Sequence, residues 1–135
     1  MSGLIALVED EPELQALYRL VLQSKGYSVA YVAANAEDAV DGYEHCGTKP
    51  DLVIMDRRLQ GSSGVDAARR IVRMDPGARI LFATADSDAV PAGMPGVVGV
   101  LQKPFSMDTM IELIEGALAG GEGSLGRRSG VPSPA

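Results

Sequence analysis

Hydrophobic residues along the chain fall into five short runs, separated by segments with helical spacing. The runs predict strands over Leu4–Val8, Ser28–Val32, Leu52–Met55, Ile80–Ala83 and Val97–Leu101. Three of these runs are almost continuously apolar, which is typical of strands that are covered on both faces. Strands that alternate with helices in this way predict a parallel sheet with helices on both sides. We therefore expect a five-stranded, doubly wound α/β fold.

The segments between the runs carry apolar stripes with the period of a helix. The first stripe follows Pro12, a favourable first-turn residue, and stops before Gly26. Asn35 and Ser106 are candidate N-caps for the second and the last helix. Two prolines and two glycines within residues 85–96 interrupt the segment between the fourth and fifth strands. We therefore predict a short or irregular fourth helix there.

The composition changes at residue 120, where the predicted domain ends. Residues 120–135 are rich in Gly, Ser and Pro, so we predict one folded domain over 1–119 and a flexible C-terminal tail over 120–135. The tail contains a GxGxxG match at residues 121–126. A dinucleotide-binding loop needs a strand before this motif and a helix after it, so we do not interpret the match as a cofactor site.

Composition and charge narrow the classes of function. Hydrophobic residues make up 46% of the chain, enough for a real core. The net charge of −6 disfavours sequence-independent binding to nucleic acid. The N-terminal apolar run lacks a basic leader and is broken by Glu9, and the single cysteine, Cys46, can form no internal disulfide. We therefore expect a soluble, cytoplasmic protein with no membrane segment.

Residues suited to phosphoryl chemistry follow the predicted strands. In a doubly wound sheet the carboxyl ends of the strands share one edge, where ligands bind. The polar residues at that edge are Glu9, Asp10, Glu11, Asp56, Thr84 and Lys103. Carboxylates suit Mg²⁺ and can form an aspartyl phosphate, and a lysine and a hydroxyl can stabilise a phosphoryl group. Together they predict a phosphoryl acceptor, although each acid taken singly could simply be solvated or cap the next helix.

The sequence resembles the receiver domain of two-component response regulators. The resemblance spans about Leu4–Leu118 and is carried by Leu7–Pro12, Asp51–Asp56, Gly64, Leu81–Ala85 and Gln102–Phe105. It implies a flavodoxin-like sheet with strand order 2-1-3-4-5. In that family the peptide bond at the position of Lys103–Pro104 is often cis.

The resemblance implies a phosphorylation-dependent signalling switch of a two-component or phosphorelay system. Asp56 is the expected phosphoacceptor, and Thr84 and Lys103 are expected to contact the phosphoryl group. The expected donor is a phosphohistidine on a histidine kinase or a histidine phosphotransfer protein. The chain is then not an enzyme, although it assists its own phosphorylation and dephosphorylation. A downstream protein partner is expected, and the chain itself is expected to be a monomer or a weak dimer.

The same resemblance implies a Mg²⁺ site beside the acceptor. Glu9 and Asp10 match the acidic pair that holds the ion in the family, and Asp10 is the expected direct ligand. Asp56 and the backbone carbonyl of Arg58 complete the expected set of protein ligands.

Several positions depart from the family pattern. Gln60 stands where proline is common, and Arg57 and Arg58 replace apolar or small residues. Arg58 and Asp86 occupy positions that influence dephosphorylation in the family, and we predict that they face each other beside the phosphoryl site and pair. Val100 stands in the place of the switch aromatic. We therefore expect the conformational change on phosphorylation to pass through the threonine that ends the fourth strand and the shortened loop after it. These would transmit it to the face formed by the fourth helix, fifth strand and fifth helix.

Three alternatives remain open at this point. The chain could be a receiver fragment of a larger response regulator or hybrid histidine kinase, and its tail would then be a linker. A small phosphatase with an Asp nucleophile is disfavoured, because it needs a second Asp two residues after Asp56, where Arg58 stands. A degenerate receiver that takes no phosphate is also disfavoured, because all the key residue types are present.

Overall fold

The computed structural model describes residues 3–59, 61–86 and 90–119, which form a parallel sheet with helices on both faces. The elements in chain order are β1 (Leu4–Val8), α1 (Pro12–Ser24), β2 (Ser28–Ala33), α2 (Ala36–His45), β3 (Leu52–Asp56), β4 (Arg58–Leu59), β5 (Ser62–Ser63), α3 (Gly64–Met74), β6 (Ile80–Thr84), β7 (Val97–Gln102) and α4 (Met107–Ala119). The sheet order is β2-β1-β3-β6-β7, with parallel neighbours throughout. Since β6 and β7 are its fourth and fifth strands, this confirms the predicted fold and the strand order 2-1-3-4-5.

Each face of the sheet is covered by its own apolar layer. Successive residues of a strand point to opposite faces, so Val53 and Met55 enter the layer that also holds residues of α2 and α3. Leu52 and Ile54 enter the other layer, with residues of α1 and α4. All four side chains are buried. Burial on both faces explains why the strand is apolar at every position before Asp56.

Two helices begin at the caps predicted from the sequence. At α2 the Oδ1 atom of Asn35 accepts the backbone N–H of Asp38 at 2.9 Å. At α4 the Oγ atom of Ser106 accepts the backbone N–H of Thr109 at 3.0 Å. Each bond satisfies one of the amides that a helix start leaves without a partner. Helix α1 begins at Pro12, as predicted.

The described part of the segment between β6 and β7 contains bends and turns and no helix. It comprises residues 85–86 and 90–96. Gly93 and Gly96 have φ values of +72° and +83°, in the left-handed region that favours glycine. Met94 is buried, and Val90 packs against the same layer as α2 and α3. These turns agree with the predicted short or irregular fourth helix, and residues 87–89 lie outside the described ranges.

Other predictions also concern residues outside those ranges. Gln60 and the C-terminal segment 120–135, with its GxGxxG match, are not among the described residues, so the predicted tail and the domain boundary stay predictions. Within the described residues, no helix combines the length and the apolar character that crossing a membrane requires.

Gly64 allows α3 to begin directly beside the end of β3. Its backbone N–H donates to the carbonyl of Arg57 at 2.8 Å. A Cβ atom added to Gly64 would overlap the carbonyl oxygen of Asp56. A larger residue at this position would therefore push α3 away from the end of the strand, and the position of Asp56 depends on this glycine.

We expect Gly64→Ala to lower the free energy of unfolding by about 1–3 kcal/mol, because the added methyl group overpacks a fixed backbone contact. The matched control is Gly116→Ala in α4, where an added Cβ meets no atom within 4 Å. It is expected to raise the free energy of unfolding by about 0.5–1 kcal/mol, since alanine is the better helix former. Urea denaturation measures both values, and equal shifts in the two variants would contradict the packing argument.

Candidate functional site

An open cavity lies at the carboxyl-terminal edge of the sheet, beyond the ends of β1, β3, β6 and β7. Most of the residues predicted from the sequence line this cavity, namely Asp10, Asp56, Arg58, Thr84, Asp86 and Lys103. They come from strand ends and from the segments that follow them, in parts of the chain that are far apart in the sequence. The parallel order of the strands brings them together, as expected for a doubly wound sheet.

Three carboxylates meet at this edge of the sheet. Glu9, Asp10 and Asp56 each offer an oxygen that lies within 4.8 Å of the oxygens of the other two. Glu9 is 2% exposed and Asp56 is 7% exposed. Charges of the same sign at this distance repel each other unless a cation lies among them. The cluster therefore has the donor atoms and the charge that suit a hard divalent cation.

Lys103 supplies a positive charge to this cluster. Its Nζ atom lies 3.0 Å from Oδ2 of Asp56 and 3.4 Å from Oε1 of Glu9. Its backbone N–H donates to the carbonyl of Thr84 at 2.8 Å, so the lysine continues the pairing of β6 with β7. Burial disfavours the ammonium, but the hydrogen bond and charge of Asp56, with the charge of Glu9, raise the pKa of Lys103 above its usual value.

Glu9 is the acid whose titration the site changes most clearly. Burial raises the pKa of the Glu9 carboxyl to about 7. The charge of Asp56 adds to this rise in the pKa. Two groups lower the pKa of Glu9 in turn, namely the backbone N–H of Glu11, which donates to Oε2 of Glu9 at 3.2 Å, and Lys103. Without a divalent cation, Glu9 therefore retains a proton close to neutral pH.

The hydroxyl group of Thr84 is buried and already has several partners. Its Oγ1 atom accepts the backbone N–H of Asp86 at 3.1 Å and Nε–H of Arg57 at 3.3 Å. It also donates to the carbonyl of Asp86 at 3.4 Å. The contact with Arg57 was not predicted from the sequence. In the structure Asp56 pairs with Ala83 across β3 and β6, which places Arg57 and Thr84 side by side, but the sequence carried no signal of this contact beyond the unusual arginine.

The predicted modulating residues lie at the rim of the cavity. The backbone N–H of Arg58 donates to Oδ1 of Asp56 at 3.1 Å, while the residue as a whole is exposed. Asp86 is also exposed and lines the same cavity. Their mutual pairing stays a prediction.

The Lys103–Pro104 bond follows the expectation from the resemblance, whereas Val100 departs from the family pattern. The Lys103–Pro104 peptide bond is cis. Phe105, the next residue, stacks on Tyr18 of α1 with ring centroids 5.8 Å apart. Val100 is partly buried and packs against the layer of α2 and α3. An aliphatic side chain therefore occupies the place of the switch aromatic.

Comparison with known proteins shows the family. The sequence model of the response regulator receiver domain matches residues 5–115. The chain is 31% identical over 122 residues to the chemotaxis protein CheY of Bacillus subtilis, which covers 87% of this chain and 99% of that protein. It is 36% identical over 118 residues to the transcriptional regulatory protein GlrR of Escherichia coli, covering 84% of this chain but only 26% of that protein.

Solved structures agree with this result. A LuxR-family two-component response regulator from Aurantimonas sp. superposes with a TM-score of 0.80 at 35% identity, covering 89% of this chain and 87% of that one. The structure of the CheX–CheY–BeF3–Mg complex of Borrelia burgdorferi matches with a TM-score of 0.78 at 19% identity, covering 84% and 87%, and supports the fold alone.

The fold and the acidic edge define a receiver domain, which is a signalling switch rather than an enzyme. The chain belongs to the response regulator receiver domain family. It spans nearly the whole of the CheY relative and about a quarter of GlrR, so a receiver that acts alone and one within a larger regulator both agree with the matches.

The raised pKa of Glu9 predicts a stability that falls as pH rises in metal-free buffer. The unfolded state loses this proton near pH 4.5 and the folded state near pH 7, so the folded state binds more protons between those values. We expect the unfolding free energy of the wild type, relative to Glu9→Gln, to fall by about 1–3 kcal/mol across that window. Urea denaturation at a series of pH values with a chelator measures it. Parallel pH curves for the two proteins would contradict the effect.

Proposed function

We propose that the chain is a phosphorylation-dependent switch in which Asp56 accepts a phosphoryl group from a phosphohistidine. The donor is a histidine kinase or a histidine phosphotransfer protein. The observation that carries this proposal is the 3.0 Å contact between Nζ of Lys103 and Oδ2 of Asp56 at an open cavity. The contact orients a nearly buried carboxylate whose oxygens border the cavity. Membership of the receiver family supports the same role.

In the transfer, one bond forms and one bond breaks. A carboxylate oxygen of Asp56 forms the new P–O bond while the P–N bond to the donor imidazole breaks, and the imidazole keeps the electron pair. Lys103, already beside Asp56, then pairs with an oxygen of the attached phosphoryl group. The hydroxyl of Thr84 donates a hydrogen bond to another phosphoryl oxygen. The chain thus assists its own phosphorylation, and later its dephosphorylation, by positioning and charge.

The donor atoms of the site fit Mg²⁺. Glu9, Asp10 and Asp56, with the backbone carbonyl of Arg58, would hold the ion, and they offer the oxygen ligands that it prefers. When bound, the ion neutralises charge on the phosphoryl oxygens.

The proposed output is a change in the face beside β6 and β7 that a downstream protein recognises. Val100 offers no aromatic ring to move, so the change depends on Thr84 and the turns that follow β6. The acidic net charge of −6 makes a protein a better partner than nucleic acid.

Incubation with acetyl phosphate and Mg²⁺ is expected to add the mass of one phosphoryl group to the wild type, as measured by intact mass spectrometry. Asp56→Asn removes the nucleophile and is expected to abolish the gain. Lys103→Ala is expected to reduce the rate about tenfold or more, because it removes the paired positive charge. Asp108→Asn, the same substitution at an exposed position of α4, is the matched control and retains the gain.

Two results would contradict the proposal. A full mass gain in Asp56→Asn would move the acceptor to another residue. If the wild type gained no mass either from acetyl phosphate or from a phosphorylated histidine phosphotransfer protein, the chain would be a degenerate receiver.

We also propose that Arg58 and Asp86 pair across the cavity and limit access of water to the phosphoryl group. Arg58→Ala and Asp86→Ala are each expected to shorten the phosphoryl half-life about twofold or more, because truncation opens the rim. The unfolding free energy changes by less than about 1 kcal/mol, as is usual for exposed pairs. Intact mass, followed after removal of the donor, gives the half-lives. Arg73→Ala on α3 serves as the control, and wild-type half-lives in both rim variants would remove this idea.

A further inference from the structure

The backbone of Arg57 is held on both sides at the end of β3. Its N–H donates to the carbonyl of Ala83 at 3.2 Å, and its carbonyl accepts the N–H of Gly64 at 2.8 Å. The first bond extends the pairing of β3 with β6 by one residue. The second bond ties the same residue to the start of α3. Arg57 is therefore anchored beside Thr84, and only its side chain is free to change partner.

The side chain of Arg57 reaches the buried hydroxyl of Thr84, which is 3% exposed. A hydroxyl has two lone pairs and one proton. The lone pairs of Oγ1 accept Nε–H of Arg57 and the backbone N–H of Asp86. With both lone pairs occupied, the tetrahedral geometry of the oxygen also fixes its O–H direction. In this arrangement the O–H donates to the carbonyl of Asp86.

This arrangement is incompatible with a hydrogen bond from Thr84 to a phosphoryl oxygen on Asp56. Turning the O–H toward the phosphoryl group requires at least one of the two accepted bonds to break. The bond from Asp86 comes from the backbone of the following loop, whereas the bond from Arg57 comes from a flexible side chain. The arginine contact is therefore the one that gives way first.

Phosphorylation also provides a better partner for the guanidinium group. Arg57 lines the same cavity as Asp56, so an arginine released from Thr84 remains beside the new negative charge. A hydrogen bond between two charged groups is stronger than one to a neutral hydroxyl. Exchange of partners thus favours release of Thr84 only when Asp56 carries phosphate.

We propose that Arg57 is a positioning residue that holds Thr84 in the phosphate-free arrangement and releases it when Asp56 is phosphorylated. This inference rests on the proposed function of Asp56 and Thr84. It gives a role to an arginine that stands where receivers carry apolar or small residues. It also offers a polar restraint on Thr84 in a chain whose switch position holds Val100 instead of an aromatic residue.

The contact itself is tested without phosphate, by a double-mutant cycle on urea unfolding with Arg57→Leu and Thr84→Val. We expect Arg57→Leu to change the unfolding equilibrium constant about threefold more in the wild-type background than in the Thr84→Val background. Arg73→Leu removes the same charge from an exposed position of α3 and is expected to be additive with Thr84→Val. Arg57→Gln replaces Arg57→Leu if the latter folds poorly.

The switching role is tested by NMR on the unphosphorylated protein. Residues 90–96 report on the turns that follow β6, and their amide signals in wild type with beryllium fluoride and Mg²⁺ define the phosphorylated-like position. In Arg57→Leu without any ligand, these signals are expected to move from the wild-type position toward the phosphorylated-like position, on the straight line that joins the two. The size of the movement is expected to correspond to about a threefold change in the ratio of the phosphate-free to the phosphorylated-like conformer. A merely structural role would not move them in this direction, and Arg73→Leu leaves them in place.

The outcomes separate this proposal from the one on which it rests. An additive cycle, or signals of Arg57→Leu that stay at the wild-type position, overturns the role of Arg57 while Asp56 is still phosphorylated. If the wild type neither gains a phosphoryl group nor responds to beryllium fluoride, the proposed function fails, and the switching role of Arg57 fails with it. A non-additive cycle together with collinear shifts supports both.

Discussion

The site depends on a single ammonium group held between two buried carboxylates. Parallel strands force Glu9 and Asp56 to the same edge of the sheet, where burial and the charge of Asp56 both raise the pKa of Glu9. Lys103 contacts both acids and, through its backbone, extends the pairing of β7 with β6. The same side chain therefore stabilises the acidic edge before any phosphate arrives and stands ready to pair with the phosphate afterwards. The fold tolerates this polar edge because burial of the two continuous apolar layers stabilises the sheet beneath it.

Most of the fold could be predicted because the strands are buried on both faces and are therefore apolar without interruption. The predicted strands agree closely with the observed ones, and the differences are instructive. Strands β2, β3, β6 and β7 each continue one residue further than predicted, to Ala33, Asp56, Thr84 and Gln102. The last three of these added residues are polar. Each of these polar residues still pairs with its neighbour in the sheet, and hydrophobicity alone cannot detect such pairing. The short hairpin of β4 and β5 was missed for the same reason, since its strands are two residues long and mostly polar.

The candidate site was partly predictable, because residues at strand ends meet wherever a parallel sheet forms. The cluster of Glu9, Asp10 and Asp56 and its contact with Lys103 follow from strand order alone. The contact of Arg57 with Thr84 does not, because it depends on which way a long side chain turns after the strand has ended. Sequence patterns carry no such directional information, so Arg57 stood out only as an unusual residue.

Among the residues that the structure describes, the edge strand β2 pairs with β1 alone, and neither β2 nor α2 lines the acidic cavity. This side of the molecule is joined to the rest by contacts of its own, such as the ion pair of Arg70 with Glu37 and the hydrogen bond of the Tyr43 hydroxyl to Asp75. Substitutions at these two contacts can change the thermal tolerance of the domain, and none of the four residues lines the acidic cavity. A protein engineer or natural variation could therefore retune heat resistance at these two contacts, whereas β2 itself reaches the acidic edge, because the backbone N–H of Glu9 donates to the carbonyl of Ala33 at 3.0 Å.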